Sequence, residues 1–256
     1  MTQPHIVEGK SHFSRHLVEL HTQLRVSAIA LGLLCVFWSY FVDNIMTAWI
    51  ELLPLQTGPG NENMSIYGPF DWVEVRWSMI LVLAFTTLLP LSSVQIYWFS
   101  RKGLYPRERT WLSAVLLLST TVVPLLIVVI WAFATPQLFN FAATTSTIDG
   151  IGVSYDASSI FSLALGASWI LIIWALTIIS IGMARLYGLV AITETRFRYR
   201  LLAISAGTLL LTLPVEFDGL RILISLTTVF TADVVSKAIP IIYPLWGDES
   251  PNDSLA

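Results

Sequence analysis

Six apolar runs divide this chain, and its charged residues are confined to the gaps between them. A helix that crosses a bilayer needs about 20 apolar residues. The runs are Val26–Val42, Trp77–Phe99, Trp111–Phe133, Ile160–Ala184 with an extension to about Leu189, the short Leu201–Pro214, and Ile222 to about Ala238, after which an apolar, Pro-broken stretch continues to Trp246. Only 12% of the 256 residues are charged and 55% are hydrophobic, against about a quarter charged in soluble domains. The expectation is an all-α, polytopic membrane protein with six transmembrane helices, a single membrane domain over residues 1–246, and a polar, disordered tail at 247–256.

Basic residues fix the orientation. They fall in three clusters: Lys10, Arg15 and Arg25; Arg101, Lys102, Arg107 and Arg109; Arg185, Arg196, Arg198 and Arg200. With six spans all three lie on the side of the termini. Basic residues collect on the cytoplasmic face, so both termini are expected in the cytoplasm, in a cell membrane. The opposite side carries Asp43, Glu51, Glu62, Asp71, Glu74, Asp149, Asp156, Glu216 and Asp218, with Arg76 and Arg221 as its basic residues. Its loops are expected at Asp43–Arg76, Ala134–Ser159 and the tight turn Pro214–Gly219. The fifth run reaches about 21 Å, against a hydrocarbon core of about 30 Å. That turn must lie below the surface unless the bilayer thins. The long fourth run has the opposite mismatch, and Pro90 and Pro124 bend the second and third. The combination predicts a concave bundle with short fifth and sixth spans. A charged tail precedes the first run and no small-residue cleavage site follows it, which predicts an uncleaved anchor.

Much chemistry is excluded. A net charge of -3 gives no footprint for nucleic acid. Cys35 is the sole cysteine, so no intrachain disulfide forms. His5, His12, His16 and His21 all precede the first run, whereas haem in a membrane bundle needs histidines within the spans. His12 and His16 have helical spacing but lack a third ligand, so no metal is expected. Neither a glycine-rich phosphate loop nor a nucleophile motif is present, so neither enzyme activity nor a cofactor is expected. Within the spans, Gln95 and Asp233 alone are candidates for intramembrane polar function, too few for a proton or ion pathway.

The remaining signals sit beside the basic clusters. An amphipathic segment, His16-Leu17-Val18-Glu19-Leu20-His21-Thr22-Gln23-Leu24-Arg25, leads into the first run. The second ends Pro90-Leu91-Ser92-Ser93-Val94-Gln95, and the loop after it reads Gly103-Leu104-Tyr105-Pro106-Arg107-Glu108-Arg109. Glu19 and Glu108 are carboxylates at the cytoplasmic interface, brought there by two different helices. Carboxylates grip guanidinium groups bidentately, and two of them suit two adjacent arginines. The competing reading is an ordinary interfacial pair with Arg15 or Arg109, which is worth little.

These pieces resemble the TatC family, the multispanning subunit of the twin-arginine protein translocase. The family has an H-L-x-E-L-R pattern, a Pro-x4-Gln segment late in span 2 and a Leu-Tyr-x-x-Glu-Arg loop. The resemblance implies a receptor for twin-arginine signal peptides on folded cargo. It implies small single-span Tat subunits as partners, in a homo-oligomer or hetero-complex within the lipid bilayer. Signal-peptide contacts then fall to Glu19, Glu108, Arg109, His16 and Leu20, and partner or intramembrane contacts to Gln95, Asp233 and Pro90. The chain departs from the pattern in three places. His21 replaces an arginine, Ile160–Ala184 holds no acid where the family often carries glutamate, and the acid of the outer turn is displaced to Glu216. Asp233 stands where the family places an acid. It faces either the bundle interior or a partner helix, or snorkels beside Lys237. A small-solute transporter or channel and a scaffold for another membrane complex are the alternative functions.

Overall fold

The structure, a computed structural model, describes residues 5–53, 57–58, 61–62, 64–65, 68, 70–101, 104, 106–145, 155–186 and 195–237. The predicted tail at 247–256 and the Pro-broken stretch before it lie outside the described residues. Helix α1 runs His5–Leu52, α2 Asp71–Ser100 and α3 Pro106–Val129. The third helix continues through a π turn, Ile130–Ala134, into α4, Thr135–Thr145. Then come α5 (Ala157–Leu186), α6 (Thr195–Thr212), a 3-10 turn (Val215–Phe217) and α7 (Arg221–Ser236). Among the described residues, four strands of two residues each lie in the loops opposite the basic clusters. Thr57–Gly58 (β1) pairs antiparallel with Asn61–Glu62 (β2), and Met64–Ser65 (β3) pairs parallel with Tyr155–Asp156 (β4).

Among the described residues, four helices are long and apolar enough to cross a membrane: His21–Leu52, Asp71–Ser100, Glu108–Phe141 and Ala157–Arg185. At 18 and 16 residues, α6 and α7 reach about 27 and 24 Å. The hub is α5. Its apolar window is 67% buried, against 6% for that of α1, and it packs against α2, α3, α6 and α7.

Two helices overrun their predicted ends for the same reason. The first run was expected to stop at Val42, yet Val42, Met46, Trp49 and Leu53 continue one buried stripe at helical spacing while Asp43 and Thr47 face outward. Asp43 is paired with Arg76 at 2.9 Å, so an acid expected in the first loop lies inside a helix. The third helix likewise continues past Ala134 to Thr145, turning the start of the expected second loop into about three further turns.

The π turn has an identifiable cause. In its wider register the Thr135 N–H bonds to the Ile130 carbonyl. The next donor in that register is residue 136, a proline, which has no N–H. The Trp131 carbonyl is thereby left over, and the Trp49 indole N–H donates to it at 2.7 Å. The Trp131 indole in turn donates to Ser168 Oγ on α5 at 2.9 Å. Phe161 packs on both indoles. Three helices therefore meet in one aromatic knot at the acidic end.

The α6–α7 turn sits low in the bundle. Phe217 packs onto Gly166 of α5, where a Cβ would collide with the ring. Gly166 lies nine residues into α5, about 14 Å below its start. Gly219 closes the turn at φ +84°, a left-handed conformation that glycine alone adopts without strain. Above it is a cleft of about 250 Å³ lined by Asp71, Glu74, Asp156 and Glu216. Asp156 caps α5, accepting from the Ser158 amide at 3.1 Å and from the Ser158 and Ser159 hydroxyls. Partial burial pushes its carboxyl up, but these hydrogen bonds outweigh that and hold it below the ordinary aspartate range. The ionised cap therefore stabilises the fold above the ordinary aspartate pKa and is lost as pH falls through the lowered one. Asp156→Ala should cost about 1 kcal/mol at neutral pH. The gap to wild type in thermal unfolding should close as the buffer is taken below about pH 4; a gap that is flat with pH rules out the ionised cap.

Candidate functional site

The basic end of the bundle is built on α2. Ser27 of α1 donates to Gln95 Oε1 at 2.6 Å, which fixes the height of α1 against α2. Thr120 of α3 donates to Ser93 at 3.0 Å, which does the same for α3. Glu19 precedes Ser27 by eight residues and Glu108 precedes Thr120 by twelve, about 12 and 18 Å along the axes. Gln95 is itself two residues, about 3 Å, nearer the basic end than Ser93. The two carboxylate-bearing positions thus stand at about the same height, on helices that each pack against α2. His16, Glu19 and Leu20 all belong to α1, ahead of Ser27.

The α2–α3 loop is held from both sides. Leu104 is buried with Leu112, Leu116 and Ile179 between α2, α3 and α5. The Arg109 guanidinium reaches back, Nη2 donating to the Arg101 carbonyl at 2.9 Å and to the Leu104 carbonyl at 3.4 Å. Pro106 opens α3 at a position where its missing N–H costs nothing. Glu108 follows in the first turn, where the helix dipole favours an acid. Glu108 is 2% exposed, a burial that the charged loop sequence gave no reason to expect. Pro90 is exposed on α2, without interrupting the helix.

Asp233 is 2% exposed and faces the bundle interior. Arg198 of α6 grips it bidentately, Nε to Oδ1 at 2.8 Å and Nη2 to Oδ2 at 2.5 Å. Arg185 at the end of α5 donates to Oδ1 at 3.1 Å, and Lys237 approaches Oδ2 at 3.4 Å. One carboxylate ties three helix ends together. Sequence reasoning gave Asp233 a lysine neighbour but missed both arginines, which lie 35 and 48 residues away. Among the described residues, no group of three His, Cys, Asp or Glu side chains converges to hold a metal ion.

Residues 15–215 match the family described as "Sec-independent protein translocase protein (TatC)". The chain belongs to the TatC family. The match spans Glu19 and Glu108 and stops before α7 and Asp233. Two crystal structures described as the twin-arginine translocase receptor TatC, one of them in DDM, share the fold at a TM-score of 0.58. The one in DDM is 16% identical and is covered over its full length by 88% of this chain; for the other the identity is again 16%, with 96% of that chain covered by 87% of this one. Curated proteins give no significant sequence match. As a TatC chain the protein is a multi-pass membrane component of protein transport, a subunit of the Tat translocase. The helical stack of α1, α2 and α3 with the α2–α3 loop carries the motifs by which the sequence resembled that family.

Proposed function

We propose that this TatC chain binds twin-arginine signal peptides of folded proteins at its basic end and nucleates a translocation complex with small single-span Tat subunits. In this reading residues 1–246 act as one six-span domain of the cell membrane, with both termini in the cytoplasm. The observation that carries it is the common height of Glu19 and Glu108 on separate helices beside α2. Two carboxylates at one level offer a fork for each of two neighbouring guanidinium groups, and partial exclusion of water strengthens such charge-assisted bonds. Arg109 serves from behind by holding the loop carbonyls, while His16 and Leu20 contribute the α1 side of the contact with the peptide. Gln95, Pro90 and Asp233 set the helix arrangement that the partner subunits meet.

Because Glu108 is buried, an incoming arginine must displace the side chains over it, which makes association slow and selective. Glu19→Gln and Glu108→Gln each remove one charge-assisted pair, worth about 1.5–3 kcal/mol, so each should weaken capture of a twin-arginine peptide roughly tenfold or more. Equilibrium binding of a fluorescent twin-arginine peptide to the purified chain reads this, with a twin-lysine peptide as the reference. A double variant that binds as tightly as wild type removes the proposed site.

A further inference from the structure

The α5–α6–α7 junction gathers basic side chains on both faces of α6. Among the described residues, Arg185, Arg198 and Lys237 touch the Asp233 carboxylate, whereas Arg196 and Arg200, exposed on α6, each lie about 200° round the helix from Arg198 and share its outer face. The carboxylate is engaged by two guanidinium groups and an ammonium and does not neutralise Arg196 or Arg200. Arg185 Nε is buried with no hydrogen-bond acceptor, so donors exceed acceptors even in the inner part of the cluster. No acid occupies the first turn of α6, and basic groups there also oppose the helix dipole. The excess positive charge is therefore held in place by the fold, where like charges repel in a medium of reduced dielectric. Two aromatics mark the depth of the patch. Phe197 is 39% and Tyr199 60% exposed, and Arg198 lies over the Tyr199 ring at 5.8 Å. Amphipathic rings of this kind settle at the headgroup level of a bilayer.

We propose that the outer face of α6 at this junction binds the phosphate of an anionic glycerophospholipid, with Arg196 and Arg200, one turn apart, as its principal ligands, on a helix whose inner face the Asp233 cluster holds in place. The Asp233 carboxylate keeps Arg198 and Arg185 turned inward, so the exposed arginines define the headgroup contact. This goes beyond signal-peptide binding and does not depend on it.

The test uses the purified full chain in neutral detergent micelles doped with phosphatidylglycerol or phosphatidylcholine, with retained lipid counted by native mass spectrometry. Wild type should retain phosphatidylglycerol selectively. The Arg196→Gln/Arg200→Gln variant should retain it roughly tenfold to thirtyfold less, at the attraction each basic side chain has for an anionic surface. An Arg25→Gln/Arg101→Gln variant, which removes the same charge elsewhere at this end, should behave as wild type. Equal retention of phosphatidylcholine, an unchanged Arg196/Arg200 variant or an equal loss in the Arg25/Arg101 variant overturns the site. Displacement of the lipid by millimolar inorganic phosphate overturns its assignment to a lipid. Thermal unfolding of each variant in lipid-free detergent checks folding, and a misfolded double variant is replaced by the single Arg200→Gln with the same criteria.

Discussion

Asp233→Asn is expected to loosen the basic end of the bundle more than any other single change there. The substitution keeps size and removes charge, leaving Arg185 and Arg198 largely buried with no counter-charge. Breaking a buried pair on one side costs about 3–5 kcal/mol, because the remaining charge stays desolvated. For a chain of this size that lowers the thermal midpoint by on the order of 10 °C. Circular dichroism of the detergent-solubilised protein measures it. The decisive control is Arg198→Gln in the same chain. If the carboxylate matters because it neutralises Arg198, the double variant is more stable than the sum of the single losses predicts, since contacting partners couple. Additive losses, or an Asp233→Asn midpoint within a degree of wild type, would falsify the view that this carboxylate fastens three helix ends.

The second large effect lies at the other end. Trp49→Ala empties a buried indole site, which costs about 3–5 kcal/mol. It also deprives the Trp131 carbonyl of its donor, worth about 1–3 kcal/mol for a buried acceptor left unsatisfied. The two contributions separate in a Pro136→Ala background. There residue 136 regains an N–H that bonds back into the widened turn, so the carbonyl no longer depends on Trp49. The loss from Trp49→Phe, which removes the donor while keeping a ring, should then shrink to near zero, whereas the loss from Trp49→Ala should persist. Identical Trp49→Phe costs in both backgrounds would show that the indole hydrogen bond contributes nothing and that ring packing alone holds the knot.

What was legible in the sequence follows from what is local. Apolar run length and basic clustering are properties of contiguous residues, and the helices they announce form close to where they were expected. Glu19 and Glu108 were placed at one end of the molecule by the same logic. Helix ends were less legible, since Asp43 and the Thr-rich stretch after Ala134 read as loop until the buried stripe through Met46 and Trp49 is seen. Contacts set by chain return were invisible. Nothing near Asp233 announces Arg185 or Arg198, nothing near Gly166 announces Phe217, and nothing in the loop composition announces that Glu108 is covered. Pro136 carried a usable signal, since a proline just beyond an aromatic-rich helix segment marks a carbonyl without a donor, but its supplier, Trp49, lies 82 residues away and was not announced.

The length of α1 has a mechanical meaning. From the Ser27–Gln95 hydrogen bond the helix runs a further 22 residues to His5, about 33 Å, whereas α2 ends only about 8 Å past Gln95. The first helix is a lever, fastened to α2 by the Trp38–Thr87 and Asp43–Arg76 contacts and, nearer its free arm, by the Ser27–Gln95 amide–hydroxyl contact. A bend of about 5° at that point carries the far tip roughly 3 Å sideways, while Trp49 on the other arm stays anchored in its aromatic knot. A load hung near Glu19 is thus geared down into a small torque on α2, and the first thing it strains is the grip of Gln95.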